Sequence, residues 1–305
     1  MKQLKRLDVT PKDPYKRGLK QRLRHIALSQ EAFEELQRTQ PDHVLIEDDG
    51  LLIAQPYQGM IGLQYAFPNS DSFVRLFADM FARLLPVLSL DEAPLGIRLR
   101  LTDAASRPYV DPILDAHAFE VARDWLRMEL SELPGDVAPD DAVADGYMLR
   151  DARIEDAEAI AEMDAVAFPV SWLTPDVVRD SVEQGPVFRV LEDIEAERAI
   201  GFLRLRTDGA TEGHISDITI HPDYQRRGLG EAMMRWALAR FRDDGQRAAT
   251  LTVSTGNGAA IALYRKLGFT AGEAGIDYRR PIDEDEVRHI LEKNRASHIT
   301  VRKRY

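Results

Sequence analysis

The residues best suited to chemistry lie in Gln225-Arg226-Arg227-Gly228-Leu229-Gly230. The apolar run Ile215 to Ile220 predicts a strand before them, and Glu231 to Arg242 predicts an amphipathic helix after them. Glycines at such a strand-to-helix turn let the backbone approach a ligand closely. The new helix then directs unpaired N–H groups at whatever lies in front of it. A pyrophosphate group suits that position, and Arg226 and Arg227 add positive charge. Alone, a short Gly-rich turn is weak evidence.

A second signature follows: Leu251-Thr-Val-Ser-Thr-Gly-Asn257, then Ala259-Ala-Ile-Ala-Leu-Tyr264-Arg-Lys-Leu-Gly-Phe269. Together these residues resemble the GNAT acetyltransferase family. Its turn pattern, Gln/Arg-x-x-Gly-x-Gly/Ala, matches Gln225 to Gly230. Its Asn and Tyr on the next strand-to-helix unit match Asn257 and Tyr264, and Leu267-Gly268-Phe269 matches the end of that unit. The resemblance covers residues 146–282, about half the chain. It implies acetyl-CoA as co-substrate, no metal, and transfer of the acetyl group to a primary amine by direct attack on the thioester.

The resemblance also implies roles. The backbone of Ile218, Thr219 and Ile220 would hold the pantetheine arm, with one N–H polarising the thioester carbonyl. The N–H groups of the Gln225–Gly230 turn would hold the pyrophosphate, with Asn257 beside the cofactor. Tyr264 is the expected acid for the departing thiolate. A phenol near ~10 facing a thiol near ~8.5 makes full proton transfer uphill by roughly 2 kcal/mol. A hydrogen bond that stabilises the thiolate, with the proton following later, describes the role better. Tyr264 could otherwise be only the core-facing aromatic of its helix.

A primary amine with a pKa near ~10.4 is about one part in a thousand free at neutral pH, a deficit of about 4 kcal/mol unless a base takes the proton. A neutral His can take it, directly or through water. His214 falls where histone-type members of the family carry a catalytic Glu and arylalkylamine-type members a His. His221, beside Pro222, belongs rather to the turn. Asp217 is expected on the opposite face of the strand from His214 if the pleat is regular.

The segment Ala167-Phe168-Pro169-Val170-Ser171-Trp172 is similar to the acceptor loop of bacterial ribosomal-protein alanine N-acetyltransferases, so Phe168 and Trp172 are expected to wall the acceptor site. One departure counts against that transfer: Thr252 stands where those enzymes have a Glu base. The two-part layout is also similar to that of mycothiol synthases, which join a degenerate half to an active one and acetylate an amino-sugar–cysteine conjugate.

At 305 residues the chain has room for two domains. It has no cysteine, which excludes disulfides, thiolate nucleophiles and cysteine metal sites. The seven histidines show no metal-ligand spacing. No apolar run approaches the ~20 residues that span a bilayer, and no secretory signal opens the chain, so a cytoplasmic location is expected. Net charge is −11, yet the ends are basic: Lys2 to Arg24, and Arg302-Lys303-Arg304. The acidic body between them disfavours nucleic acid and suits a cationic small-molecule or peptide amine. Monomer and homodimer both remain open. A non-catalytic acyl-CoA-binding regulator is the competing class, and the retained Tyr264 argues against it.

The fold class expected is α/β (α+β), with two GNAT-like domains in tandem. Each is a mixed central sheet flanked by helices, over residues 1–143 and 144–305, and the second is intact. In the second half, strands are expected at Tyr147–Arg153, Val187–Leu191, Ala199–Arg206, His214–Ile220, Ala249–Val253 and Ile276–Arg280, with Thr174-Pro175 opening a helix. In the first, His43–Ala54 and Gly59–Phe67 read as strands and Ser72–Leu88 as a helix. Leu101-Thr102 and Ala118-Phe119 echo Leu251-Thr252 and Gly268-Phe269 at a constant offset, which puts Arg107 at Asn257, Leu114 at Tyr264 and Ala78 at Gly228. This copy is expected to lack the chemistry. Asp136–Asp145 is the expected linker.

Overall fold

The computed structural model describes residues 22–47, 50–57, 60–88, 96–135, 142–168, 173–185, 187–207 and 211–281. The basic residues up to Lys20, linker residues 136–141, Trp172 and the basic tail lie outside the described residues. In chain order the elements are β1 (Leu23–His25), α1 (Gln30–Thr39), β2 (Val44–Glu47), β3 (Gly50–Tyr57), β4 (Met60–Phe67), α2 (Ser70–Leu84), β5 (Ile97–Leu101) and α3 (Arg107–Ala116). Then come β6 (Glu120–Leu130), β7 (Ala142–Ala144), β8 (Tyr147–Asp151), α4 (Ala157–Ala167), α5 (Pro175–Gln184), β9 (Val187–Asp193) and β10 (Arg198–Arg206). The chain continues through β11 (Glu212–Ile220), α6 (Leu229–Asp243), β12 (Ala248–Ser254), α7 (Gly258–Lys266) and β13 (Thr270–Arg280).

Two compact units result, but they do not part at 143/144. One comprises Met1–Val121 with Ile276–Tyr305, the other Ala122–Gly275. Strand pairing is the reason. β6 runs antiparallel to β12, from Ala249↔Leu130 to Ser254↔Trp125. The end of β13 runs antiparallel to β5, from Ile276↔Leu101 to Arg280↔Ile97. Each sheet is completed by the strand that follows the other unit's last helix, which no local signal in the linker announces.

In the first unit the sheet order is β2-β3-β4-β5-β13, with β4 and β5 parallel and β1 paired to β4. His43–Ala54 is a hairpin rather than one strand: Val44↔Ile53 to Glu47↔Gly50 pair antiparallel, and the Asp-Asp-Gly turn signal after Glu47 explains the reversal. α2 lays Phe73, Phe77, Phe81 and Leu84 on the core at four- and three-residue spacing. Its rings stack at 4.6 Å (Phe73–Phe77) and 5.5 Å (Phe77–Phe81). Asp277, fully buried, is held by Arg98 at 3.0 Å and Arg100 at 2.7 Å. A buried carboxylate survives folding only with such partners.

In the second unit the order is β7-β8-β9-β10-β11-β12-β6, and only β11 and β12 run parallel. β9 and β10 are buried on both faces, hence their near-continuous apolar runs. Ala157, Ile160 and Met163 of α4 and Val178 of α5 cover Phe188, Val190 and Phe202 on one face. Met233, Met234, Ala237 and Phe241 of α6 cover Leu203, Leu205, Ile215 and Leu251 on the other. Thr174 caps α5, its hydroxyl accepting from Val177 N at 3.3 Å, with Pro175 in the first turn.

Candidate active site

The sheet of the second unit opens where its two parallel strands part. β11 and β12 pair only from Glu212↔Ala248 to Ile215↔Leu251. A bulge at the next residue drives them apart. Against β10, Arg204 faces Asp217 but Leu205 faces Ile215, so Ser216 is the extra residue. The bulge also changes the pleat. Arg204 and Arg206 lie two apart on one face of β10, and their partners are Asp217 and His214. Asp217 and His214 therefore share a face, contrary to the regular-pleat expectation.

Between the parted strands lies a cavity of about 530 Å³. Ile215–Ile218 and Leu251–Ser254 form its long walls, and Asn257, Tyr264, Asp164, Phe168 and Arg123 complete them. β10 covers the far edge of β11, so among the described residues the backbone of Ser216 to Ile220 on the cavity side has no strand partner. An extended chain bearing amides could hydrogen-bond there as a strand would.

Tyr264 lies on α7 and is buried, with its ring 6.1 Å from that of Phe269. Its hydroxyl has no hydrogen-bond partner among the described residues, and burial pushes the phenol up to about 12. It is thus both the aromatic of its helix and a wall of the cavity; the two readings are not exclusive. Asn257 is the N-cap of α7, its Oδ1 accepting from Ala260 N at 3.1 Å. Phe168, the residue after α4, lines the cavity, whereas Trp172 lies outside the described residues.

The glycine turn ends at Gly228, the N-cap of α6, with φ 82°. An L side chain is strained there, and a Cβ would meet nothing within 4 Å, so the position faces open space. Arg226 also has positive φ, at 60°. Among the described residues no acceptor serves the N–H groups of Leu229, Gly230 and Glu231, the first turn of α6. A concave run of backbone donors at a helix start is an anion cradle. Two side chains of the turn have other tasks. Gln225 Nε2 donates to Ile220 O at 3.0 Å, bracing the loop on β11. Arg227 donates to the Tyr147 hydroxyl and the Asp223 carbonyl at 3.0 and 2.8 Å, over the Tyr224 ring. Arg226 is exposed.

His214 does not line the cavity. It stands at the closed end, paired with Thr250 on the second-last rung before the strands part, and its Nδ1 lies 3.0 Å from Thr250 Oγ1. His221 belongs to the turn, where its Nδ1 accepts from Asp223 N at 3.3 Å.

Residues 157–269 match the model of the acetyltransferase (GNAT) family. That segment is similar to GNAT acetyltransferases. The chain is 29% identical over 164 residues to a mycothiol acetyltransferase of Actinosynnema mirum, covering 50% of this chain and 53% of that protein. It is 26% identical over 137 residues to a Bacillus subtilis protein named as a candidate alanine N-acetyltransferase of ribosomal protein bS18, covering 45% of this chain and 89% of that one. The chain spans about 30% to 64% of the length of the mycothiol acetyltransferases it matches. In fold it is similar to a GCN5-related N-acetyltransferase from Sphaerobacter thermophilus, with TM-score 0.51, 16% identity, and coverage of 77% and 78% of the two chains.

Of two acids at the site, the reading of the sequence missed one and set the other on the wrong face. Asp164, 2% exposed, lines the cavity from α4 and accepts from Leu173 N at 3.5 Å. The signal was there: with Ala157 and Ile160 it continues the apolar stripe at helical spacing, and an acid in that stripe marks a polar site within a core. Asp217 also lines the cavity, bound by the buried Arg204 at 2.6 Å. Its place depends on the Ser216 bulge, which the sequence does not mark.

Proposed function

We propose that this chain is an acetyl-CoA-dependent N-acetyltransferase acting on a small cationic primary amine. The observation that carries the reading is the open split between β11 and β12, with a free strand edge along one side, Tyr264 in the wall and the donors of the α6 start beyond. These features fit acetyl-CoA: an unpaired strand edge for the pantetheine amides, and a cradle for the pyrophosphate whose Gly228 leaves open space. Acetyl-CoA supplies a thioester whose carbonyl carbon an amine nitrogen can attack, releasing a thiolate.

The chain supplies the rest. The backbone of Ile218, Thr219 and Ile220 aligns the extended arm. The N–H groups from Arg226 to Gly230 bind the phosphates, with Gln225 and Leu229 shaping the turn and Asn257 fixing the start of α7. Tyr264 donates a hydrogen bond to the leaving sulfur. With the phenol at about 12, complete transfer to a thiolate near ~8.5 is uphill by about 5 kcal/mol, so stabilisation by the bond precedes any proton movement. His214 takes the amine proton through water from the closed end. Phe168 bounds the acceptor side. Asp164 presents a carboxylate to that space, a group that can pair with a cation.

The curated relatives support a second reading of the acceptor, an amino-sugar–thiol conjugate of the kind named for the mycothiol acetyltransferases. On either reading the first unit is a copy of the fold without the chemistry.

Calorimetry with acetyl-CoA, followed by thiol-release assays across alkylamines, amino sugars and N-terminal alanine peptides, tests the proposal. One acetyl-CoA per chain and thiol release with one of these amine classes are expected. Absence of binding would overturn it.

A further inference from the structure

Thr250 and Glu212 decide which ring nitrogen of His214 carries the proton. Thr250 Oγ1 has three neighbours: His214 Nδ1 at 3.0 Å, Glu212 Oε1 at 3.1 Å and the Gly213 carbonyl at 3.4 Å. A threonine hydroxyl has one proton to give. A carboxylate and a carbonyl can only accept, so the proton goes to one of them. Toward His214 the hydroxyl oxygen is then an acceptor, and Nδ1 must be the donor. In a neutral ring this leaves Nε2 without a proton.

Glu212 is itself fixed. Arg127 donates to its Oε1 at 2.9 Å and also to Glu129 at 2.8 Å, so the carboxylate is held and turned toward Thr250. Among the described residues, the charged groups around the ring are Glu212 and Asp217 on its own strand and Arg206 opposite on β10, with Arg127 and Glu129 behind Glu212 on β6. Thr250 lies opposite the ring on β12.

We infer that Thr250 and Glu212 are positioning residues that lock His214 in the Nδ1–H tautomer, presenting Nε2 as a proton acceptor. The inference rests on the acetyl-transfer reading only for its purpose; the tautomer itself follows from the hydrogen bonds. It also accounts for Thr252. Thr252, which stands where the ribosomal-protein enzymes have a Glu base, is relieved of base duty by a relay two residues earlier on the same strand.

The test is a nitrogen–proton correlation spectrum of the full chain carrying 15N-labelled histidine, above the pH at which the ring titrates. His214→Gln assigns the signal among the seven histidines. The wild type should show Nδ1 protonated and Nε2 bare, in excess over the other tautomer by about fivefold or more. Thr250→Val should lose that preference, and Thr250→Ser should keep it. Glu212→Gln should weaken it, because an amide can donate to Thr250 and leave the hydroxyl proton shared between the Gly213 carbonyl and Nδ1. An Nε2–H ring in the wild type, or a Thr250→Val spectrum unchanged from it, would overturn the inference. No acceptor amine is needed, so this outcome is separate from that of the thiol-release assay.

Discussion

Where β11 parts from β12, the second unit has a cavity; where β4 leaves β5, the first unit has a piece of its own chain. β4 pairs parallel with β5 only from Ile61↔Ile97 to Leu63↔Leu99. β3 occupies the other edge of β4 from Met60 to Ala66. β1 must therefore lie on the β5 side when it pairs His25↔Tyr65, Arg24↔Ala66 and Leu23↔Phe67. Thr102, just past β5, ties it in, its hydroxyl donating to Arg24 O at 2.8 Å. Gln64 holds the chain that follows, accepting from Ala27 N and Leu28 N at 2.6 and 3.1 Å. The strand edge proposed to bind a ligand in one unit is satisfied internally in the other.

The turns beyond the strands differ in the same sense. Eight residues, His221 to Gly228, separate β11 from α6, but two, Pro68 and Asn69, separate β4 from α2. The counterpart of Gly228 is thus Asn69, not Ala78, which lies inside α2; the constant offset fails here because the loop is shorter. Asn69 Oδ1 accepts from Ser72 N at 3.0 Å, so the side chain takes a donor that the glycine turn leaves open. At the last helix the offset holds. Leu114 O accepts from Phe119 N at 2.9 Å as Tyr264 O accepts from Phe269 N at 3.0 Å, and the intervening Ala118 and Gly268 both have positive φ. Leu114 is buried where Tyr264 offers a hydroxyl. On the proposed reading of the first unit as a copy, one scaffold serves two ends, decided by an open or filled strand gap, a long or short turn, and a single side chain.

The largest effect should come from Gly228→Asp. A carboxylate at the α6 start repels an anion, and the residue is strained at φ 82°. Acetyl-CoA binding should weaken by at least about 100-fold in calorimetry, or roughly 3 kcal/mol. Gly228→Asn, which tolerates the left-handed conformation, should weaken it less. Asn69→Asp at the matching site of the first unit should leave binding unchanged; if it lowers affinity, the two starts are not as different as proposed.

Tyr264→Phe comes next. Turnover should fall by about 10- to 100-fold with acetyl-CoA affinity within about twofold. Because the phenol titrates at about 12, it is a donor throughout pH 6–9. The substitution should therefore lower the whole pH–rate profile without moving its limbs. A lost alkaline limb, or a loss of affinity alone, would remove Tyr264 from the chemistry. Leu114→Tyr, its mirror in the first unit, should confer no second activity, since the gap beside it is filled.

The filling of that gap should be acid-labile. Burial, with Arg100 and Arg98 close by, lowers the His25 pKa to about 4. The folded state prefers the neutral ring, so this stability is present above about pH 6.5 and is lost as pH falls toward 4. The loss amounts to up to about 3 kcal/mol. Thermal melts of the wild type should drop more between pH 7 and 4.5 than those of His25→Gln. Equal drops would show that the ring is not held neutral in β1.

Much of this was legible in the sequence because the deciding features are local. The glycine turn, the Asn257 and Tyr264 spacing, the Thr174-Pro175 helix start and the apolar runs of β9 to β12 all signal themselves within a few residues. What stayed hidden depends on partners distant in sequence. β6 and the end of β13 are ordinary strands whose destinations are set by pairing, so the boundary at 143/144 was misplaced. The Ser216 bulge leaves no composition mark, yet it sets which face carries Asp217. β1 is a three-residue strand, too short for any periodicity, and only the gap it fills gives it meaning.

The smallest effect tests the point where the two units agree. Ala118 and Gly268 occupy the same left-handed position after their helices, at φ 59° and 92°. Only the first has a Cβ there, and an L residue in that conformation costs roughly 1 kcal/mol relative to glycine. Ala118 is exposed, so its methyl group contributes little packing. Ala118→Gly should therefore stabilise the chain by up to about 1 kcal/mol, partly offset by the greater freedom glycine gives the unfolded chain. Gly268→Ala should destabilise it by a similar amount or more, because its Cβ would also approach Leu130 Cδ1 at 3.2 Å. Urea denaturation of the two variants reads both signs. If Ala118→Gly destabilises, the first unit has adapted its backbone to the alanine, and the correspondence between the two helix ends holds in hydrogen bonds but not in energy.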